Sequence, residues 1–301
     1  MSIVNNLPAY VEQNHDSLLR EACLGSASAK MFRLQTGVKT KTALNILATD
    51  VVFQDGSGCG FNAQGESRVS QRTITAPIVK VNMSFCDKEL LNSALQHDVR
   101  VQAGQKTLPF EEEFVGDVMG KINKATEKMV WQGDTESEDS VLKWTDGILK
   151  HLNASDGVTK AENKLSHSTD LIKAVDDVML AIPTDVLDKA VIFMGWDYFR
   201  SYCVAMKSAN LFHYDANGID KGNVFYPGSN VAIKAVAGLD GTNTIVAGDP
   251  ENFVYGCDMQ HDSEKVDLWY SKDNQEFRLA VEFALGTQVA FPNEVVISTK
   301  A

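Results

Sequence analysis

The chain has 301 residues, of which 44% are hydrophobic and 23% charged. These values exclude a disordered or collagen-like polymer and leave room for about two structural units around a sizeable core. Lys and Arg number 28 against 40 Asp and Glu, a net charge of −12, which disfavours broad, sequence-independent gripping of a phosphate backbone.

Residues 1–47 mix polar and apolar positions, with a helix indicated over 16–22 and extended character over 31–37, and read as an arm with little core of its own. Two β-prone runs follow, 51–53 and 68–81, flanking a tip that carries Gly56, Gly58, Cys59, Gly60, Phe61 and Gly65. This predicts a long hairpin. A tip with Phe61 as its one large apolar group has little with which to bury itself, so it is expected to project and to make inter-subunit contacts.

Residues 108–133 give the clearest helix: Pro109 suits a first turn, Glu111, Glu112 and Glu113 sit where the helix dipole favours anions, and Gly133 stops it. Phe110, Phe114, Val118, Ile122, Ala125 and Met129 recur at three- and four-residue spacings and predict one apolar face along this spine. A second helix is predicted from Asp170 to Pro183, a buried strand over 190–194, and an amphipathic helix after Gly195 that carries Phe199, Tyr202, Cys203 and Met206. Beyond residue 222 the chain is strand-rich, at 230–236, 244–247, 266–271 and 277–283, separated by Gly and Asp-Gly turns. The sum is an α+β fold without internal repeats.

Chemical signatures are missing. No GxxxxGK[ST], HExxH or GxSxG occurs, and the glycines at 56–60 have the wrong spacing for a dinucleotide fingerprint. Asp134, Glu136, Glu138 and Asp139, and Asp215, Asn217 and Asp220, are dense in oxygen ligands but lack the pattern of an EF-hand; they read as a solvated loop and an ordinary turn. The six histidines are isolated from one another and from cysteines, and the Asp176-Asp177 pair reads as a solvated helix face. Cys23, Cys59, Cys86, Cys203 and Cys257 form no CxxC pair and read as free thiols of a reducing cytoplasm. No export leader and no 18-residue apolar run is present, so no membrane role is indicated. The expectation is no enzyme, with no catalytic residue, cofactor or metal.

The order of elements, with Trp131-Gln132-Gly133-Asp134 ending the spine and Gly147-Ile148-Leu149 soon after, resembles the major capsid proteins of tailed phages with the Hong Kong 97-like fold. Pro227-Gly228-Ser229-Asn230-Val231 and Ile245-Val246-Ala247-Gly248-Asp249 resemble that family's return into the sheet and its turn back toward the peripheral domain. The resemblance implies an N-terminal arm (1–47), an extended hairpin loop (48–79), a peripheral domain with the spine helix (80–164), an axial domain (165–250) and return strands (251–301). It also implies self-assembly as pentamers and hexamers into an icosahedral shell of a virion, formed in the host cytoplasm and enclosing double-stranded DNA without sequence-specific binding. Implied partners are further copies of the chain, a separate scaffolding protein, a portal and decoration proteins. Two rivals are an encapsulin-type nanocompartment shell and a cytosolic enzyme with a dispersed site. The hairpin has no lysine between Lys41 and Lys80, which argues against a lysine cross-link from it.

Overall fold

The computed structural model describes residues 7–49, 51–55, 57, 61, 64–65, 67–86, 88–90, 93, 96–97, 110–161, 171–209, 223–258 and 265–298. The chain opens with two short helices, α1 (Leu7–Gln13) and α2 (His15–Leu24). Leu7, Val11, Leu18, Leu19, Ala22 and Cys23 recur at helical spacing and are buried in the largest hydrophobic cluster of the molecule. This part of the predicted arm therefore packs onto its own subunit, because its apolar stripe is as complete as that of any core helix. The extended segment after it contributes β1 (Arg33–Gln35).

The hairpin is formed by β2 (Lys41–Thr49) and β3 (Ser67–Thr75), antiparallel with Lys41 opposite Thr75 and Thr49 opposite Ser67. Its first strand lies ten residues before the predicted one at 51–53, which is irregular here. The reason is the alternation at Leu44 and Ile46, which buries both against Val38, Ile74 and Val254, whereas Val51, Val52 and Phe53 stay exposed. The predicted run 68–81 is likewise two strands, because Ala76-Pro77 interrupts the ladder before β4 (Ile78–Cys86).

The spine is α3 (Phe110–Gln132), and α4 (Ile148–Ala154) follows it after a loop. Then come β5 (Thr159–Lys160), α5 (Leu171–Ala181), β6 (Val191–Met194) and α6 (Trp196–Ser208). The strand-rich last third supplies β7 (Asn223–Phe225), β8 (Ala232–Ala235), β9 (Ile245–Gly248) and β10 (Phe253–Gly256). It ends with β11 (Lys265–Ser271), β12 (Glu276–Ala284), β13 (Gly286–Val289) and β14 (Val296–Ser298).

Three sheets accompany the hairpin: β11-β12-β4, β1-β10-β13 and the mixed six-stranded β5-β14-β9-β6-β8-β7. The first lies beneath α1 and α2, and α2 also packs on the spine. The six-stranded sheet carries a second cluster, in which Val175 and Val178 of α5 and Phe199, Tyr202 and Met206 of α6 cover Ile192, Ile233, Ile245 and Ala247. Val191, Phe193 and Val246 alternate with those residues and face the spine cluster instead, so a single sheet serves both cores. Among the described residues no helix is long and apolar enough to cross a membrane.

Candidate assembly surfaces

Two regions of the hairpin differ in how they are held. At the root, Leu44, Ile46 and Ile74 are buried, the Gln288 side chain donates to the Thr73 carbonyl at 2.7 Å, and Arg72 Nη1 donates to the Ser155 hydroxyl at 3.3 Å. The strands behind the root carry glycines where the contact is closest: a Cβ on Gly286 would lie 2.3 Å from the Thr75 carbonyl oxygen, and one on Gly256 2.6 Å from Ile74 Cδ1. Farther out, Leu47 and Val69 face each other across the ladder and are 62% and 69% exposed. Beyond them Phe53 and Phe61 are each 96% exposed, with Val51 and Val52 exposed as well. The outer hairpin thus carries a row of uncovered apolar groups on an element with no core of its own.

The spine ends at a close crossing. Gly133 N–H donates to Met129 O at 2.9 Å, and Gly147 N–H donates to Gly133 O at 2.8 Å. A Cβ on Gly147 would lie 2.5 Å from Gly133 N, and one on Gly133 2.4 Å from Thr145 O. Two glycines at this spacing let the chain leave the spine and recross it to start α4. Lys150 closes the turn through contacts to Asp134 (2.6 Å) and Asp146 (2.9 Å). Its ammonium holds the Asp134 carboxyl below the ordinary range, helped by the Glu136 amide. Burial pushes the Asp146 carboxyl up, but the Thr135 amide and hydroxyl and Lys150 outweigh it and keep it low. The acidic loop after the spine is thus partly neutralised by a lysine from α4.

A third feature joins the spine to the six-stranded unit. Trp131 is fully buried, edge-on to Phe32 at 5.6 Å and tilted against Phe193 and Phe253, and its Nε1 donates to the Ser28 hydroxyl at 2.7 Å. Ser28 donates its amide and hydroxyl to the buried Glu127 carboxylate. The short turn 237–241 lies over this cluster, where Gln132 Nε2 donates to the Gly238 carbonyl at 2.6 Å and Asp240 Oδ1 accepts from the Trp196 amide that opens α6.

Of the residues singled out from the sequence, Gly56, Gly58, Cys59 and Gly60 lie outside the described residues, while Gly65 and Phe61 are exposed. On the spine, Phe110, Val118, Ile122 and Met129 are buried. Phe114 is half-buried and packs edge-on against Phe85 of β4 at 4.9 Å. The buried face is wider than the predicted stripe and includes Val115, Met119, Thr126, Glu127, Val130 and Trp131, since α2 and the 237–241 turn cover a second side of the helix. Sequence reasoning missed Leu47 and Val69, although their place next to Leu44 and Ile46 carries that signal. It gave no sign of Gly238.

No protein-family model matches the chain, and no curated protein matches it either. Solved structures do. A chain of the satellite phage P4 procapsid that includes the size-determination (Sid) protein superposes with a TM-score of 0.65 at 8% identity, over 94% of this chain and 90% of that one. The capsid of an empty GTA particle gives 0.58 at 12% identity, over 93% and 90%. This chain has the Hong Kong 97-like capsid fold. A virus-like particle from Pyrococcus furiosus shares it as well, with a TM-score of 0.53 at 14% identity over 94% of this chain and 96% of the other. Identities this low mean that the likeness is carried by the arrangement of elements.

Proposed function

We propose that the protein is a major capsid protein of a tailed phage, building a closed icosahedral shell of pentamers and hexamers around double-stranded DNA. The observation that carries this reading is the outer hairpin, whose Leu47, Val69, Val51, Val52, Phe53 and Phe61 are exposed on an element anchored at its root. On a chain with a capsid fold, the natural cover for such a surface is a neighbouring copy. In this reading the β2-β3 hairpin laps over a neighbour, the spine with the sheets β11-β12-β4 and β1-β10-β13 is the peripheral unit, and the six-stranded sheet with α5 and α6 is the axial unit that meets its copies around the symmetry axes. A net charge of −12 suits a container whose wall must not grip packed DNA. A separate scaffolding protein, a portal and decoration proteins are the expected further partners, and host cytoplasm the place of assembly.

Electron microscopy of the protein expressed with its scaffolding partner tests the reading. Closed icosahedral shells support it, and a strictly monomeric protein at high concentration refutes it. Shells that carry a copurified enzyme in place of nucleic acid would support an encapsulin-type compartment instead.

A further inference from the structure

The open side of the spine carries its charges in a fixed order. Glu113, Asp117, Gly120, Lys124 and Lys128 recur at three- and four-residue spacings and share one face of α3 over about 22 Å. Glu113, Asp117 and Lys124 are exposed, Gly120 and Lys128 partly so. Acids hold the first half of this face and bases the second. The helix dipole favours anions in the first turn, but its influence fades within a turn, so it does not account for Asp117, Lys124 or Lys128. Within the subunit these charges are only loosely engaged. Asp117 pairs with Lys121 at 2.7 Å, Glu113 lies 3.5 Å from His97, and Lys128 lies 3.7 Å from Asp139. Lys124 makes no ion pair among the described residues.

Reversed end for end, this row is its own complement. Turned about a point between Gly120 and Lys121, it sets Asp117 opposite Lys124 and Glu113 opposite Lys128, each pair occurring twice, as a two-fold contact requires. A parallel copy would set acid on acid. We propose that the open face of α3 packs antiparallel against the same face of a second copy across a two-fold axis, with Gly120 at the crossing. Copies that each carry a net charge of −12 repel one another, and this pairing brings acid to base where they meet. Gly116 and Gly120 fit the same contact: an added Cβ at either would meet nothing within 4 Å, whereas Gly133, Gly147 and Gly238 each answer a close neighbour in their own subunit. Glycine weakens a helix relative to alanine, and here it leaves room for two helix axes to approach to about 8 Å. Lys121 stays at the flank, drawn back to Asp117 of its own helix. The pairing rests on the shell reading, which supplies the second copy. Exposed ion pairs are individually weak, so the contact acts by repetition around a shell and loosens as salt rises.

The test uses chains with Cys59, Cys86 and Cys203 replaced by serine, assembled into shells and then oxidised with copper-phenanthroline. Gly120→Cys should give a covalent dimer and nothing larger, because a two-fold axis joins each copy to one other. Glu113→Cys alone should stay monomeric, and Glu113→Cys together with Lys128→Cys should give the dimer again. Lys124→Glu added to Gly120→Cys should cut the dimer severalfold, and Asp117→Lys in the same chain should restore it, since both partners are then reversed. Shells in which Gly120→Cys gives no dimer, or in which Glu113→Cys alone cross-links, overturn the pairing and leave the shell reading intact. A parent that forms no shells under the microscope refutes the shell reading, and the pairing falls with it. Should Gly120→Cys block assembly, the Glu113→Cys and Lys128→Cys chain decides by the same dimer band.

Discussion

Gly238→Ala is the most demanding test of the joint between the spine and the six-stranded unit. A Cβ built there lies 2.2 Å from Trp131 Cδ1 and 2.5 Å from the Glu127 carbonyl oxygen. The first neighbour cannot turn away, since the indole is fully buried among Phe32, Phe193 and Phe253 and tied to Ser28. The second is spine backbone. Overpacking of this kind costs about 1–3 kcal/mol, and with both neighbours fixed the upper end, about 3 kcal/mol, is expected. Gly116 is the control: it sits in the same helix that Gly238 presses on, is exposed, and has nothing within 4 Å of an added Cβ. Gly116→Ala should stabilise by up to about 1 kcal/mol through helix propensity. The two variants should thus differ by about 4 kcal/mol, a factor of about a thousand in the unfolding constant. Urea denaturation of the subunit followed by far-ultraviolet circular dichroism reads this directly. Gly238→Ala within about 0.5 kcal/mol of the parent, or Gly116→Ala as damaging as Gly238→Ala, would refute the packing argument.

Ile122→Asp buries an unpaired carboxylate at a position only 5% exposed and should destabilise by several kcal/mol. Lys121→Asp removes an exposed pair with Asp117 and should cost less than about 1 kcal/mol, so equal thermal shifts for the two would mean the helix face is misassigned. Deleting residues 55–66, or making Leu47→Asp with Val69→Asp, should leave the circular dichroism of the subunit unchanged while lowering shell yield; unfolding would contradict the separation of root from tip. Shells boiled in detergent, with and without reductant, should give one band near 33 kDa, because no lysine lies between Lys41 and Lys80. A ladder that collapses only with reductant would implicate a disulfide, most simply through Cys59, and a ladder that resists reductant would refute noncovalent cohesion.

Local signals were the legible ones. The spine announced itself through Glu111 to Glu113 at one end, Gly133 at the other and apolar spacing between, and β6, β9, β11 and β12 appeared within two residues of their predicted limits. What escaped were relations between distant segments. The β12-β4 ladder joins Glu276 to Cys86, some 190 residues apart, and no local pattern states such a pairing. Leu7, Val11 and Leu18 have helical spacing, but nothing near them in sequence identifies the sheet that covers them, so the sequence alone reads as an arm. Val51-Val52-Phe53 is more β-prone than Thr42 to Leu47 and draws the expected strand too far along, yet burial, not propensity, decides which run pairs. The Gly133 and Gly147 motif was visible as letters, and its cause, two backbones in contact, was not.

The docking of α1 on β11 also orders events during synthesis. The first helix of the chain rests on a strand made about 250 residues later, and the Tyr255 hydroxyl donates to the Cys23 carbonyl across a similar gap. At about 5–20 residues per second the N-terminal helices wait roughly 13–50 s for their support. Until β11 and β12 leave the ribosome, α1 and α2 have no sheet beneath them, and a truncated or still-tethered chain leaves their apolar stripes uncovered. Synthesis of β11 and β12 is thereby a checkpoint on the folding of the N-terminal helices.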